Sequence, residues 1–190
     1  MGTTRAGSKE KIILAAIQEI KDHGVRGLSV RRVAERCGVS SGAPYRHFKG
    51  KDDLILETLD YINSKWSERQ KEVLEQYRDD LRDQITETCV SYIKFLCEYP
   101  EFQSILTMND NSMTPEQLKR KATISCQTSE LLHKYCDSVG MNDDVRERKI
   151  YIGRSIVYGA ALMINAGIMK ANDETFETIR YCVRREFDIE

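Results

Sequence analysis

The sequence predicts an all-α protein of about nine helices. Only three of its 190 residues are proline, and 31% are charged, with nearly equal numbers of each sign. Apolar residues recur at helical spacing along most of the chain, and the alternation typical of a half-buried strand is not found. Long stretches without glycine or proline favour helices in the same way. A chain of this length forms one compact domain or two small ones.

The first two helices are predicted from their apolar spacing and their ends. Apolar residues recur every three or four positions over residues 8–23. Gly24 follows, where a left-handed conformation commonly ends a helix. Ser29 has the side chain of an N-cap and opens a second helix. Gly38 stops that helix after about two turns.

The third helix is short and begins in an unusual stretch, SSGAPYRHF, at residues 40–48. Ser40 or Ser41 is its predicted N-cap, and its end lies near Phe48. Its first turn contains Gly42, Ala43 and Pro44. The N–H groups of a first turn have no helical partner, so a proline there costs little. Two short helices joined at Gly38 form a helix-turn-helix, whose later helix enters the DNA major groove with its N-terminal residues against the bases.

The rest of the chain repeats this pattern of capped helices. Asp52 and Asp53 lie in the first turn of the next helix, where the helix dipole favours acids. Thr114 and Pro115 are a predicted N-cap and first helical residue. A flexible loop is predicted at residues 109–113. The predicted helices span about residues 51–77, 80–98, 101–108, 114–139, 143–170 and 174–187.

Charge is distributed unevenly along the chain. Residues 1–51 carry a net charge of +7, and the remainder carries −8. A basic first third on an acidic body predicts a polyanionic partner for the first third alone. The six cysteines form no CxxC pair, and the N-terminus lacks the apolar segment of a signal peptide. We therefore expect a reduced, cytoplasmic protein. The most apolar run, residues 156–169, is too short for a membrane span and predicts a buried helix, so no membrane partner is expected.

The segment LSVRRVAERCGVSSGAPYRHFKGKDDL, residues 28–54, resembles the DNA-binding segment of the tetracycline-repressor (TetR) family. The matching pieces are A-x-x-x-G-V-S, then Y-R-H-F, then a K-D-D-L helix start, and the resemblance covers roughly residues 8–60. It implies a homodimeric, all-helical transcription regulator. An N-terminal three-helix DNA-binding domain is expected at residues 1–50, with the helix-turn-helix at about 29–48. A C-terminal helical domain, residues 51–190, would hold a ligand cavity and the dimer interface.

The resemblance also implies individual DNA contacts. Tyr45, His47 and Lys51 match positions that contact phosphate, and Ser29 matches the residue that caps the second helix against the DNA backbone. The positions that face the groove, or lie at its edge, are Arg31, Arg32, Ser40, Ser41, Gly42, Ala43 and Pro44. One departure from the family is the pair Ala43-Pro44, where Thr-Leu or Ser-Leu is common. Apolar contact with a thymine methyl fits this pair, and we expect Arg31 or Arg32 with shape readout to carry much of the base preference.

A ligand pocket is predicted among the aromatic and sulfur residues of the middle helices. An apolar pocket with few polar groups suits a small apolar or amphipathic ligand. The same composition is also found in any helical core. The candidate pocket residues are Trp66, Tyr92, Phe95, Phe102, Met108 and Met113.

The last two helices are predicted to form a dimer interface. Their apolar residues form stripes that little remaining chain can cover, and two copies packing as a four-helix bundle would cover them. The alternative is a core within one chain. The predicted interface residues are Val157, Ala161, Ile164 and Ile168, followed by Phe176, Ile179, Val183 and Phe187.

Metal binding and catalysis are not expected, and no cofactor is predicted. Cys126, His133 and Cys136 share a helix face, but two turns separate the first two, a span of some 10 Å, which is too far for one ion. No phosphate loop, G-x-S-x-G or HExxH motif is present, so the chain is not expected to be an enzyme. The predicted function is a ligand-responsive repressor that binds double-stranded operator DNA. The alternative is a helical protein-binding or ligand-binding scaffold without sequence-specific DNA binding.

Overall fold

The computed structural model describes residues 5–106 and 114–188. These residues form eight α-helices and one 3₁₀ helix, with no strand among them, so the predicted all-α class is confirmed. The α-helices are α1 (Arg5–Gly27), α2 (Val30–Cys37), α3 (Lys51–Gln76), α4 (Leu81–Glu98), α5 (Pro100–Leu106), α6 (Pro115–Ser138), α7 (Asp143–Asn165) and α8 (Asp173–Glu186). The 3₁₀ helix spans Pro44–Arg46, between α2 and α3.

The chain divides into two compact units by its internal contacts. Unit 1 contains the described residues of 1–64 and 99–121, and unit 2 contains those of 65–98 and 122–190. The division falls inside α3, whereas we predicted a boundary near residue 50. The assignment of a function to each domain stays a prediction.

Unit 1 is organised around α1, which packs on both α2 and α5. Ile12, Ala16 and Ile20 lie on the buried side of α1 at helical spacing. Ala34 is completely buried on α2, and its small side chain suits a close crossing of the two helices. The basic N-terminal third therefore has its own apolar core.

Gly24 interrupts α1 rather than ending it. Its φ of 69° and ψ of 167° are non-helical, and helical geometry resumes beyond it up to Gly27. This positive φ is accessible to glycine at little cost. The predicted break at Gly24 is confirmed, but the chain makes one more short helical piece before α2.

Unit 2 is built from α4 packed against α7 and α8, which also pack on each other. Most of the predicted dimer-interface residues are buried inside one chain. The buried ones are Val157, Ala161, Ile164, Ile179, Val183 and Phe187. Phe176 is half-buried, and Ile168 is 73% exposed. These six pack within the chain because α4 supplies a third apolar face, and the dimer interface stays a prediction.

The end of α7 also differs from its prediction, which placed it at about residue 170. The helix ends at Asn165, and Gly167 follows with a φ of 71°. The N–H of Ile168 bonds the carbonyl of Met163 at 2.9 Å, and the N–H of Gly167 bonds that of Ile164 at 3.0 Å. This is the Schellman pattern of a helix end. Gly167 therefore ends α7.

Candidate nucleic-acid interface

The predicted cap of α2 is confirmed. Ser29 is extended, with φ −123° and ψ 116°, and its hydroxyl accepts a bond from the N–H of Arg32 at 3.5 Å. The carbonyl of Ser29 accepts from the N–H of Val33 at 3.0 Å. The first turn of α2 therefore starts at a defined point on the chain.

Gly38 makes the turn that follows α2. It is left-handed, with φ 66° and ψ 33°. Its N–H bonds the carbonyl of Glu35 at 3.0 Å, and the N–H of Val39 bonds that of Ala34 at 3.1 Å. These two bonds close α2 in the Schellman pattern and need a residue that accepts positive φ. Val39, the residue after this turn, is exposed.

The predicted third helix is a single 3₁₀ turn. Its bonds run from the N–H of Arg46 to the carbonyl of Ala43 at 3.2 Å and from that of His47 to Pro44 at 2.9 Å. No side chain caps it, so the predicted capping by Ser40 or Ser41 is wrong. Pro44 has no N–H to donate back to Ser40, and so short a segment does not outweigh the cost of helix nucleation.

The 3₁₀ geometry decides which side chains face outward. With three residues per turn, Pro44 and His47 share one side, and the next residues lie on the other. Pro44 is buried and His47 half-buried, whereas Tyr45 is 59% exposed and Arg46 is exposed. The predicted outward placement of Pro44 is therefore wrong. Ala43 is half-buried, and the remaining small residues are exposed: Ser40, Ser41 and Gly42.

The arginines of α2 have different surroundings. The Arg31 side chain is 81% exposed and pairs with Glu35 one turn later at 3.0 Å. Arg32 and Arg36 turn back toward α1 and donate from Nε to opposite oxygens of Glu19. Arg31 keeps its predicted exposed position, whereas Arg32 is held by an internal partner.

Glu19 is a completely buried carboxylate. Burial raises the pKa of Glu19, but hydrogen bonds from Arg32 and Arg36 and the charge of Arg32 outweigh it, so the pKa lies below its usual value. His23 lies 3.9 Å away through Nε2. The group stays ionised at neutral pH because its partners are fixed around it. Sequence reasoning missed Glu19, and its only signal was an acid on the otherwise apolar face of α1.

The other predicted phosphate contacts lie close to helix ends. Lys51 starts α3, and its Nζ donates to the carbonyl of Arg26 at 2.7 Å. The N–H of Lys49 donates to Asp53 at 2.8 Å. An ammonium has three donors, so this bond leaves two protons of Lys51 for other acceptors. Phosphate contact by Tyr45, His47 and Lys51 stays a prediction.

Arg46 is a site candidate that our list of DNA-contacting residues left out. It is exposed in the 3₁₀ turn, beside Tyr45, and its guanidinium pairs with no acid among the described residues. Every arginine of α2, by contrast, has an acidic partner. The signal available in the sequence was its place inside the Y-R-H-F motif.

Three of the predicted pocket residues form an aromatic cluster in unit 2. The ring centroid of Trp66 lies 4.5 Å from the ring centroid of Tyr92 and 5.5 Å from that of Phe95. All three side chains are buried. Trp66 Nε1 and Thr88 Oγ1 are buried without a hydrogen-bond partner among the described residues. Unpartnered buried polar atoms are uncommon, and they suggest the position of an absent polar partner.

The other predicted pocket residues do not join this cluster. Phe102 is buried in unit 1, and Met108 and Met113 lie outside the described residues. Unit 2 also has two open clefts, of about 540 Å³ beside Met141 and about 360 Å³ beside Gln70. None of the predicted pocket residues lines either cleft, so the ligand pocket stays a prediction.

No metal site is found in the described part of the chain, where no three His, Cys, Asp or Glu side chains cluster suitably. His133 is exposed and Cys136 buried, and the side chain of Cys126 lies outside the described residues. Burial raises the pKa of the Cys136 thiol, which disfavours the thiolate that binds metals. Among the described helices, none is sufficiently long and apolar to cross a membrane.

The protein has the local structure of a helix-turn-helix. It consists of α2 with its Ser29 cap, the turn at Gly38 and the exposed turn that carries Tyr45 and Arg46. Residues 12–58 match the family of bacterial regulatory proteins known as the tetR family. The tetracycline repressor protein class C of Escherichia coli is 41% identical over 58 residues, which are 29% of this chain and 26% of that protein. Residues 12–58 therefore carry the DNA-binding domain of the tetR family. The match spans only about a quarter of that repressor's length.

Solved structures share the fold over nearly the whole chain. A TetR family regulator from Marinobacter aquaeolei VT8 superposes with a TM-score of 0.71 at 19% identity, covering 94% of each chain. The transcriptional regulator FadR of Bacillus subtilis, solved in complex with stearoyl-CoA, gives a TM-score of 0.67 at 13% identity, covering 94% of this chain and 96% of that one. At such identities the likeness establishes the fold alone.

Proposed function

We propose that this chain is a cytoplasmic transcriptional repressor that binds a near-palindromic operator as a homodimer and is released by a small molecule. The observation that carries DNA binding is the exposed pair Tyr45 and Arg46, presented in one turn directly after a capped α2. Exposed Arg and Tyr side chains at this position of a helix-turn-helix meet phosphates and base edges. Arg31, exposed on α2, is the second candidate for reading a base.

Fluorescence anisotropy on duplexes from upstream of its own gene tests this proposal. We expect sequence-selective binding that weakens with salt. Arg46→Gln should lower the salt slope by about 0.9, the value for one lost phosphate contact. Arg148→Gln, a change of the same charge on an exposed residue of α7, is the matched control and should leave the slope unaltered. Binding without sequence preference or salt dependence would favour the scaffold alternative.

Dimerisation is proposed through the outer face of α7 and α8, opposite the side that packs on α4. Tyr151, Leu162 and Tyr181 are large apolar side chains exposed on these helices, and Leu162 is 61% exposed. A Cβ placed on Gly159, between the first two on α7, meets no atom within 4 Å, so that part of the face is open. Large apolar side chains exposed on two neighbouring helices support a self-complementary contact with a second copy.

Sedimentation velocity tests the dimer with a charge placed on this face. Leu162→Glu should convert the dimer to a monomer, because two buried carboxylates would face each other across a two-fold axis. Leu14→Glu is the matched control, since Leu14 is 49% exposed on α1 in the other unit. A wild-type monomer, or a Leu162→Glu protein that still dimerises, would contradict this interface.

Ligand binding is proposed at the aromatic cluster of unit 2. The buried Nε1 of Trp66 needs an acceptor, and Thr88 Oγ1 lies buried without a partner in the same unit. An apolar molecule with one carbonyl or hydroxyl group fits these requirements, and the stearoyl-CoA bound by a protein of the same fold supports an amphipathic ligand. Trp66 is the only tryptophan of the chain, so its fluorescence reports on this site alone.

Titration with acyl-CoA thioesters and free fatty acids tests the pocket. We expect saturable quenching of Trp66 and a matching loss of DNA affinity, since a ligand changes DNA binding only by binding the two states differently. Thr88→Val keeps the shape of the side chain, removes the hydroxyl and should weaken a ligand that bonds it. Quenching that leaves DNA affinity unchanged would count against ligand-controlled release.

A further inference from the structure

The three arginines of α2 are all matched by acids of the same chain. Arg31 pairs with Glu35, and Arg32 and Arg36 share Glu19. Glu35 is ordinary in position, since an exposed Glu one turn away is a common partner. Glu19 is not, because its side chain is 0% exposed.

The bonds around Glu19 engage Nε and Nη2 of both guanidinium groups that face it. Arg32 donates from Nε to Glu19 and from Nη2 to the carbonyl of Gly27 at 2.5 Å. Arg36 donates from Nε to Glu19 at 2.9 Å and from Nη2 to Asp22. Two arginines and two acids make a neutral group, so neither cation adds to the field that α2 presents.

A buried carboxylate holds such partners more firmly than a surface acid does. Removing one partner of a buried ion pair leaves an uncompensated charge out of water, which is strongly unfavourable. A DNA phosphate is a solvated competitor, and to draw either guanidinium outward it would have to break the bond from Nε to Glu19. Arg32 and Arg36 are therefore expected to keep their internal bonds when DNA is present.

We propose that Glu19 is a specificity-determining positioning residue that withholds Arg32 and Arg36 from DNA phosphates. Electrostatic contacts with phosphate are independent of sequence and raise affinity for every duplex. Keeping two cations internal lowers this common affinity and leaves discrimination to the exposed residues Arg31, Tyr45 and Arg46. This inference rests on the proposed DNA binding of the chain.

Glu19→Gln tests the inference, because the amide keeps the shape of the side chain and removes the charge. On a random-sequence duplex, we expect the salt slope to steepen by about 0.9 for each arginine released to a phosphate. The ratio of operator affinity to random-duplex affinity should fall. Glu10→Gln, an equal charge change on the exposed side of α1, should alter neither quantity. A purely structural role for Glu19 would reduce thermal stability but leave the slope of the folded protein unchanged.

A second variant keeps the inference testable if Glu19→Gln does not fold. Arg32→Gln should retain the wild-type salt slope, because Arg32 is not in contact with phosphate, whereas Arg46→Gln should reduce it by about 0.9. A slope reduced by Arg32→Gln overturns the inference, as does a folded Glu19→Gln protein with the wild-type slope and affinity ratio. These results differ from a failure of the proposed function, in which the wild-type protein itself shows no salt-dependent DNA binding.

Discussion

Replacing Phe187 by alanine tests whether this residue is core or interface. Its side chain is completely buried in unit 2. Its ring meets the Tyr135 ring edge-on, with ring centroids 5.7 Å apart and an angle of 87° between the ring planes. A Cβ at Gly153 would lie 3.6 Å from its Cζ, and the Tyr135 hydroxyl donates to its carbonyl. Truncation of such a ring removes contacts on several sides and leaves a cavity.

The expected loss of unfolding free energy is about 3 kcal/mol, the lower end for Phe→Ala, because a helix cap relaxes more easily than a helix centre. For a chain of this size each kcal/mol lowers the melting temperature by about 2–4 °C, which gives a decrease of about 6–12 °C. Denaturant unfolding followed by Trp66 fluorescence measures the loss, since Trp66 lies in the same unit.

Ile168→Ala is the matched control, since both residues were predicted interface positions but Ile168 is 73% exposed. It should change the unfolding free energy by less than about 0.5 kcal/mol. Measurements at several protein concentrations separate folding from dimerisation. An unchanged unfolding midpoint for Phe187→Ala, together with weaker dimerisation, would place this ring between subunits and refute the reasoning.

Three further predictions concern single side chains. Glu101→Gln should raise the unfolding free energy at neutral pH by about 1 kcal/mol, because burial disfavours the charged carboxylate more than Lys21, 3.8 Å away, stabilises it. Burial raises the pKa of Glu101, so the wild-type protein should lose stability as pH rises from the unfolded to the folded pKa; thermal melts of the variant should lack this dependence. Gly38→Ala should lower the unfolding free energy by about 1–2 kcal/mol, because the φ of 66° at this position disfavours a residue with a Cβ. Urea unfolding measures the loss, and an unchanged midpoint would exclude the left-handed turn. Alkylation followed by mass spectrometry should modify exposed Cys182 faster than buried Cys89, since burial raises the pKa of Cys89 to about 12; equal rates would contradict the packing of α4.

The features that the sequence predicted correctly depend on a few neighbouring residues. Ser29 caps α2 through its own side chain, and Gly38 ends it through its own φ. Gly24 likewise breaks α1 without help from distant parts of the chain. Such stereochemistry is local, so a residue type at a given spacing predicts it well.

The features that the sequence did not predict depend on which distant element packs nearby. Val183 and Phe187 belong to an apolar stripe that suits a second copy or α4 equally well, and the pattern carries no information on the partner. Pro44 is buried because a 3₁₀ turn replaces the expected α-helix, and the two windings place it on different sides. The bond between Glu19 and Arg36 joins α1 to α2, so the spacing of residues within one helix does not predict it.

The shared carboxylate of Glu19 limits how this protein can be recombined with its relatives. Consider a chimera in which α2 and the 3₁₀ turn come from another regulator and α1 from this protein. The Glu19 carboxylate would then be buried without a counter-charge, unless the donor supplies cations at positions 32 and 36. Lys51 adds a second link, because it bonds the carbonyl of Arg26. A graft that carries the whole stretch from α1 to the first turn of α3 preserves both links. The exchangeable part for operator engineering is therefore larger than the helix-turn-helix itself.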